Sequence, residues 1–88
     1  MGGRMIRWDP AKSERLKRTR GVSFEEILQA ELVATLGHAK RANQELLLFR
    51  YLDYIWVVPY VVHGEEMFLK TLFPSRKYTK LDLKGELP

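Results

Sequence analysis

The sequence predicts an α+β fold in which a small antiparallel β-sheet carries two N-terminal helices on one face, in the order β-α-α-β-β-β-β. Two helix-start signals fall within the first 26 residues, and from residue 33 onward short apolar, aromatic and β-branched runs alternate with turn residues. The chain has 88 residues, the size of one small domain. We therefore expect a single domain over residues 1–88, with a flexible leader at 1–4 and a weakly structured tail at about 78–88.

The first predicted elements are a short strand and a cationic helix. Residues 5–8 are β-prone and favour a brief strand. Asp9 is a suitable N-cap, Pro10 a suitable first helical residue, and Gly21 can adopt the left-handed conformation that ends a helix. A helix is therefore expected from Pro10 to about Arg20, mostly solvated because its lysines and arginines spread around its circumference.

The second predicted helix has a clearer start. Ser23 and Glu26 have the spacing of a capping box, in which each side chain binds a backbone N–H at the helix start. Val22 and Ile27 can form a hydrophobic staple across the same turn. We expect this helix to cover one face of the sheet and to end near Leu32.

The later strands are indicated by β-branched and aromatic residues. They are predicted at 33–36, 45–51, 54–62 and 67–73. The dipeptides Leu52-Asp53 and His63-Gly64 have the length of tight hairpin turns. Pro59 has no backbone N–H, so it predicts a bulge or an unpaired position within its strand.

The charges are sorted along the chain. Fifteen lysines and arginines oppose 11 acidic residues, a net charge of +4. Residues 1–20 carry +5, residues 21–66 carry −4 and residues 67–88 carry +3. Basic termini suit a phosphate-bearing partner, and an acidic middle segment suits a basic partner protein. The alternative is that this charge serves solubility alone.

Composition excludes several classes of site. The absence of cysteine excludes disulfides, cysteine-ligated metals and a thiol nucleophile. Two histidines are too few for a histidine-built metal site, so no cofactor is expected. The longest apolar stretch, residues 46–62, is too short and too interrupted to span a bilayer, and no secretory signal is visible. We expect a soluble cytoplasmic protein that does not associate with membranes.

Several residues could carry chemistry. In the run Phe73-Pro74-Ser75-Arg76-Lys77, two cations follow a proline that ends the last strand, and a guanidinium there can bind a phosphate in a bidentate manner. Each histidine follows a strand and is either an ordinary surface residue or a proton-transfer group. Four aromatic residues in the strands are expected to pack mostly in the core, with one or two free to stack on a base: Tyr51, Tyr54, Trp56 and Tyr60.

Three segments resemble the BrnT family of type II toxins. They are IRWDPAK at 6–12, RGVSFEE at 20–26 and LKTLFPSRK at 69–77, and they occur in the family's order within residues 5–80. The resemblance implies a RelE-like fold and an RNA-cleaving activity. It also implies a cognate DNA-binding antitoxin that sequesters the toxin and represses their shared operon, so operator DNA is contacted only through the antitoxin.

The favoured hypothesis is a metal-independent endoribonuclease of the mRNA interferase type that uses the 2′-hydroxyl of RNA as nucleophile. Arg76 is assigned as the transition-state clamp, supported by Lys70 and Lys77. Arg50 is a second cation candidate, and His63 or His38 is the candidate acid or base. The residues predicted to bind RNA are Lys77, Lys12, Arg15, Lys17 and His38.

The antitoxin is predicted to contact acidic residues of the middle segment, namely Glu25, Glu26 and Glu31. The alternative function is a non-catalytic, toxin-like protein that binds an antitoxin or RNA without cleavage. A DNA-binding regulator is excluded because the second helix is acidic on its outer face and would repel phosphate.

Overall fold

The computed structural model describes residues 5–37 and 44–87. In chain order the described elements are β1 (Met5–Arg7), α1 (Pro10–Arg20), α2 (Phe24–Ile27), β2 (Glu31–Gly37), β3 (Gln44–Tyr51), β4 (Tyr54–His63), β5 (Glu66–Leu69), β6 (Phe73–Ser75) and α3 (Arg76–Leu83). The predicted fold class is confirmed, because a largely antiparallel sheet carries the two N-terminal helices on one face. No helix among these residues is long and apolar enough to cross a membrane.

The sheet is built around β4. The strands lie in the order β1-β5-β4-β3-β2, and β6 also pairs with β4. On one side of β4, residues 60–63 pair with β5 and residues 55–57 pair with β6, so these two short strands follow one another along the same side. All pairings are antiparallel except that of β1 with β5, which is parallel.

The two faces of the sheet carry different helices. Face A, which includes Phe49, Trp56 and Val58, packs against α1 and α2 through Leu16 and Phe24. Face B carries the alternate residues of the same strands, since successive side chains in a strand point to opposite sides. On face B, Leu48, Ile55 and Val57 form a second cluster against Tyr78 of α3 and Leu87.

Helices α1 and α2 begin and end at well-formed caps. Asp9 accepts from the Ala11 N–H at 3.0 Å, and Gly21 ends α1 with φ of 83°. Ser23 and Glu26 form the predicted capping box. The expectation that α2 extends to Leu32 is wrong, because the chain enters β2 at Glu31, where pairing with β3 replaces further helical turns.

The β3–β4 hairpin turn is confirmed at Leu52 and Asp53, whose φ values of 53° and 62° are those of a type I′ turn. The next turn contains Gly64, with φ of 59°, and Glu65, one residue later than predicted. Pro59 causes no bulge, because the β3–β4 register is continuous across it. Its carbonyl accepts from the Lys70 N–H at 2.8 Å. In an antiparallel strand the backbone nitrogen and the carbonyl of one residue point to the same side. The nitrogen of Pro59 therefore also points towards the gap between β5 and β6, where no backbone donor is needed.

Two expectations for the C-terminal part are wrong. The strand predicted at 67–73 is two strands, β5 and β6, separated by residues 70–72. The tail predicted at about 78–88 contains most of α3, which begins after Ser75, whose side chain accepts from the Tyr78 N–H. Thr79 fixes this helix to the sheet, because its hydroxyl accepts from the Ile55 N–H at 2.8 Å. These contacts with face B stabilise a helix whose sequence has only weak helical signals.

Candidate nucleic-acid interface

The part of face B that α3 leaves uncovered lies along β5 and β6. α3 packs over the end of the sheet near Ile55. Further along β4, Phe68 and Phe73 are 36% and 37% exposed, although large apolar side chains are usually buried. We call this surface the open strip, and it consists of Phe68, Lys70 and Phe73, with His63 at one end and Arg76 at the other.

The open strip alternates aromatic and cationic side chains. Phe68 and Phe73 pair with β4 residues that are four positions apart, which corresponds to roughly 14 Å along the strand. Lys70 lies between them, level with Pro59, to which its backbone N–H donates. The Lys70 Nζ is 5.6 Å from the centroid of the Phe68 ring, within the range of a cation–π contact.

Further charges surround the His63 end of the strip. Arg7 lies beside Phe68 in the register of β1 with β5. One guanidinium nitrogen of Arg7 is 3.5 Å from the Glu66 carboxylate, and both side chains are more than half exposed, so this ion pair is weak. His63 pairs with Glu66 across the β4–β5 turn. Lys70 makes no ion pair with any residue that the structure describes, which leaves its charge available to a phosphate.

The structure separates Arg76 from His63, which were predicted to act in one catalytic site. Arg76 follows Ser75, which is opposite Ile55, whereas His63 is eight residues further along β4. Eight strand residues span roughly 27 Å. Side chains of arginine and histidine cannot bridge that distance to one phosphorus atom. The register therefore argues against one reacting phosphate for both residues, and the catalytic role of each stays a prediction.

Arg50 is already occupied by two carboxylates. Its guanidinium donates to Asp82 of α3, at 3.0 and 2.5 Å, and to Glu31 of β2, at 2.7 Å. The hydrogen bonds to Asp82, and after them the one to Glu31, raise the pKa of Arg50. The hydrogen bonds from Arg50 lower the pKa of Asp82. Through these two acids Arg50 links β2, β3 and α3, and its catalytic role stays a prediction.

The predicted RNA-binding residues of α1 lie on the opposite side of the molecule. α1 packs on face A, so Lys12, Arg15 and Lys17 are separated from the open strip by the sheet. Lys17 is also engaged, because its ammonium is 2.8 Å from Glu26. The predicted cations therefore form two separate surfaces rather than one RNA path. Lys77 lies on the α3 side, with its Nζ 5.4 Å from the ring centroid of Tyr78.

The three acids predicted to contact an antitoxin all have partners within the chain. Glu25 accepts from the Ser13 hydroxyl at 2.5 Å and from the Trp8 indole N–H at 3.2 Å. The Ser13 hydrogen bond is the main reason that the pKa of Glu25 is lowered. Glu26 binds Lys17 and caps α2, which also lowers its pKa, and Glu31 binds Arg50. These acids hold structural elements together, and their availability to a partner stays a prediction.

The expectation that most strand aromatics pack in the core is confirmed. Trp56 and Tyr60 are buried on face A, and Tyr51 and Tyr54 pack against the same cluster. The aromatic residues on the open face are instead Phe68 and Phe73, which are not among the four predicted candidates. Strand alternation contains the signal for Phe68, because its neighbours Met67 and Leu69 both belong to the face A cluster.

Other candidate sites are limited. His38 lies outside the described residues. Within residues 5–37 and 44–87, no group of three or more histidine or acidic residues is placed to hold a metal ion. A groove of about 380 Å³ runs along β1, lined by Met5, Ile6, Arg7, Trp8, Pro10 and Glu25. A cavity of about 200 Å³ lies between α3 and the β3–β4 hairpin, beside the ion pairs of Arg50.

Comparison with known proteins identifies a related fold. No model of a protein family and no curated protein matches the sequence. Among solved structures, the 1.1 Å crystal structure of the ribonuclease toxin BrnT from Brucella abortus is similar, with a TM-score of 0.52 and 16% sequence identity. The similarity covers 81% of this chain and 96% of that one. The chain therefore has a BrnT-like fold.

Proposed function

We propose that this protein is an RNA-cleaving toxin of a type II toxin–antitoxin system, related to the BrnT family. The BrnT-like fold, shared with a protein described as a ribonuclease toxin, supports this class of activity. The three segments that resemble the BrnT family support it independently. The net charge of +4 suits an RNA substrate.

The observation that carries the proposal is the open strip. It combines the exposed rings of Phe68 and Phe73 with the charge of Lys70, which has no ion-pair partner among residues 5–37 and 44–87. Exposed aromatic rings interleaved with cations are typical of surfaces that bind single-stranded nucleic acid. Arg76 and Lys77, at the start of α3, extend the positive charge beyond Phe73.

The proposed cleavage uses the 2′-hydroxyl of the RNA as nucleophile and side chains of the protein as catalytic groups. The 2′-oxygen attacks the adjacent phosphorus and loses its proton to a base. The bond from phosphorus to the 5′-oxygen then breaks, and the leaving oxygen takes up a proton. We assign proton transfer to His63, at one end of the strip: its imidazole accepts the proton of the 2′-hydroxyl and, once protonated, donates it to the leaving 5′-oxygen. Stabilisation of the negative charge on phosphorus is assigned to Lys70. The proposed products are a 2′,3′-cyclic phosphate and a 5′-hydroxyl end.

The proposed role of Arg76 changes with its position. Because it lies about 27 Å from His63 along β4, we assign it, with Lys77, to the phosphates of neighbouring nucleotides rather than to the reacting one. A cognate antitoxin that neutralises the protein and contacts operator DNA completes the proposal. The contact of that antitoxin with Glu25, Glu26 and Glu31 stays a prediction, as does location in the cytoplasm.

The test compares His63→Ala with Arg76→Ala in cleavage of single-stranded RNA by the purified chain. We expect His63→Ala to lower kcat by about 10²–10⁴-fold, the range for loss of a general acid or base. We expect Arg76→Ala to raise KM and to leave kcat close to wild type. Arg15→Ala is the matched control, because it removes an exposed arginine from the opposite side of the molecule.

The outcomes separate the alternatives. A loss of kcat in Arg76→Ala, with His63→Ala fully active, would place the reacting phosphate at the α3 end and contradict our assignment. Binding of RNA by the wild-type protein without any cleavage product would support the non-catalytic alternative. Equal effects of Arg15→Ala and Arg76→Ala on KM would contradict the use of the open strip as the RNA path.

A further inference from the structure

We infer that the open strip selects unpaired RNA by stacking two bases, one on Phe68 and one on Phe73, with Lys70 placed at the backbone phosphates between them. This inference deepens the proposed function and rests on it, since it specifies how the same surface recognises its substrate. It concerns binding rather than cleavage. It can therefore fail while the cleavage proposal stands, and the reverse is also possible.

The exposure of the two rings supports a ligand with flat apolar faces. Both phenylalanines retain more than a third of their surface exposed on a sheet face whose other large side chains are mostly covered. Base–aromatic stacking is a large and sequence-tolerant source of affinity for single strands. A sheet that presents two rings on one face is a known arrangement for holding successive unstacked bases.

The charges favour a nucleic acid over an apolar protein segment. Lys70 lies over the Phe68 ring at 5.6 Å and has no carboxylate partner among residues 5–37 and 44–87. Arg7 stands next to Phe68 in the sheet register, and Arg76 follows directly after β6. Arg7 is paired with the nearby acid Glu66, so these two residues add no net charge, and the excess positive charge comes from Lys70 and Arg76. A polyanion that brings bases and phosphates together matches this alternation of rings and cations.

Stacking on exposed rings favours a single strand over a duplex. The rings are separated by roughly 14 Å along the strand direction, so the two bases must lie in different positions along an extended chain. In an RNA duplex the bases are paired and stacked on one another, and their faces are not accessible to a protein surface. Single-stranded segments, loops and ends are therefore the substrate class that fits the strip.

The experiment measures binding with a 2′-O-methyl RNA oligonucleotide, which cannot be cleaved because its nucleophilic hydroxyl is blocked. A single 2-aminopurine in the oligonucleotide reports stacking through quenching of its fluorescence. The full-length chain is used throughout. We expect wild-type protein to quench the fluorescence and to prefer the single strand to the matching duplex. We expect Phe68→Leu to weaken binding about tenfold and to reduce the quenching.

The variants separate stacking from packing. Phe68→Leu keeps an apolar side chain on the sheet but removes the π-face, and Phe68→Tyr should restore both affinity and quenching. Phe73→Leu is expected to behave in the same way, and the double variant should bind more weakly than either single variant. Leu32→Ala serves as the control, because this residue is also an exposed apolar side chain (52% exposed) but lies at the other edge of the sheet.

Wild-type affinity and quenching in both leucine variants would overturn the inference. Equal binding of single strand and duplex would overturn it too. If wild-type protein cleaves unmodified RNA while these variants bind normally, the proposed function stands and only the stacking fails. If wild-type protein binds and quenches but cleaves no RNA, the stacking stands and the proposed cleavage fails. Absence of RNA binding by the wild-type chain would also overturn the inference and would favour a protein partner for this surface.

Discussion

The two faces of the sheet hold their helices in different ways. On face A, α1 and α2 insert Leu16, Phe24 and Ile27, each 5% exposed or less, into one continuous apolar cluster. On face B, α3 has no fully buried side chain. It is attached through Tyr78, which packs on the face B cluster, and through polar contacts of Thr79 with Ile55 and of Asp82 with Arg50.

This difference separates a stabilising face from a binding face. Burial of apolar surface is the main favourable term in folding, so face A supplies most of the stability. Face B keeps two aromatic rings and several cations accessible, which lowers its contribution to the core. Segments with few buried apolar contacts open more easily than the core. We therefore expect α3 to be the least stable helix and the open strip to tolerate substitution without unfolding.

The largest expected effect compares two phenylalanines, one on each face. Phe24→Ala should cost about 3–5 kcal/mol, because it removes a fully buried side chain from the face A cluster. Phe68→Ala should cost about 1 kcal/mol, since much of that ring is already exposed. Urea denaturation of both variants measures the difference. Equal losses in the free energy of unfolding would contradict the conclusion that face A supplies most of the stability.

A medium effect is expected from Ser13→Ala on face A. The Ser13 hydroxyl is buried, donates to Glu25 and accepts from the Phe24 N–H at 3.0 Å. Its removal leaves a buried backbone N–H without a partner, which should cost about 1–3 kcal/mol. Thr19→Ala is the matched control, because the Thr19 hydroxyl lies on the exposed side of the same helix and donates to the Arg15 carbonyl at 2.8 Å. A Thr19→Ala variant as unstable as Ser13→Ala would refute this explanation.

The acid dependence of stability gives a second check on the same hydrogen bond. The Ser13 hydroxyl holds the pKa of Glu25 below its ordinary value of 4.5. A carboxyl whose pKa is lower in the folded chain stabilises the fold above its ordinary pKa, and the contribution disappears as the pH falls through the lowered value. The stability difference between wild type and Ser13→Ala should therefore be largest above pH 4.5 and should shrink below it.

The smallest and most local effect is expected from Arg50→Ala on face B. The variant removes the ion pairs that join α3 to β2 and β3. Because these groups are partly exposed, the effect on global unfolding should be small. Amide hydrogen exchange in residues 79–83 should accelerate, while exchange in α1 stays unchanged. Lys84→Ala, next to the end of the same helix, is the control. Unchanged exchange in Arg50→Ala would show that apolar contacts alone hold α3.

Much of the N-terminal half could be predicted because its signals are local. Asp9, Gly21, Ser23 and Glu26 act within one helical turn of their positions, and the structure contains each predicted cap. Two of the three segments that resemble the BrnT family, 6–12 and 20–26, contain these caps. The third, 69–77, contains Ser75, which caps α3. Part of that resemblance therefore reflects the residues that begin and end the helices.

The candidate site was less predictable because it depends on strand register. Arg76 and His63 are only 13 positions apart in the sequence, yet they lie at opposite ends of β4, because the chain turns back after β4 and runs antiparallel to it as β5 and β6. Arg50 was predicted as a free cation because nothing local indicates its partners. Glu31 and Asp82 reach it only through pairing of β2 with β3 and packing of α3 on face B.

The amino-acid sequence alone establishes the fold class, the caps of α1 and α2, the β3–β4 turn and the excess of positive charge. Each of these depends on residue type or on neighbours within a few positions. Packing of the sheet decides which side chains share a face. It buries Trp56 and Tyr60, exposes Phe68 and Phe73, neutralises Arg50 and separates α1 from the open strip. These outcomes arise from contacts between distant parts of the chain, whose geometry no local pattern contains.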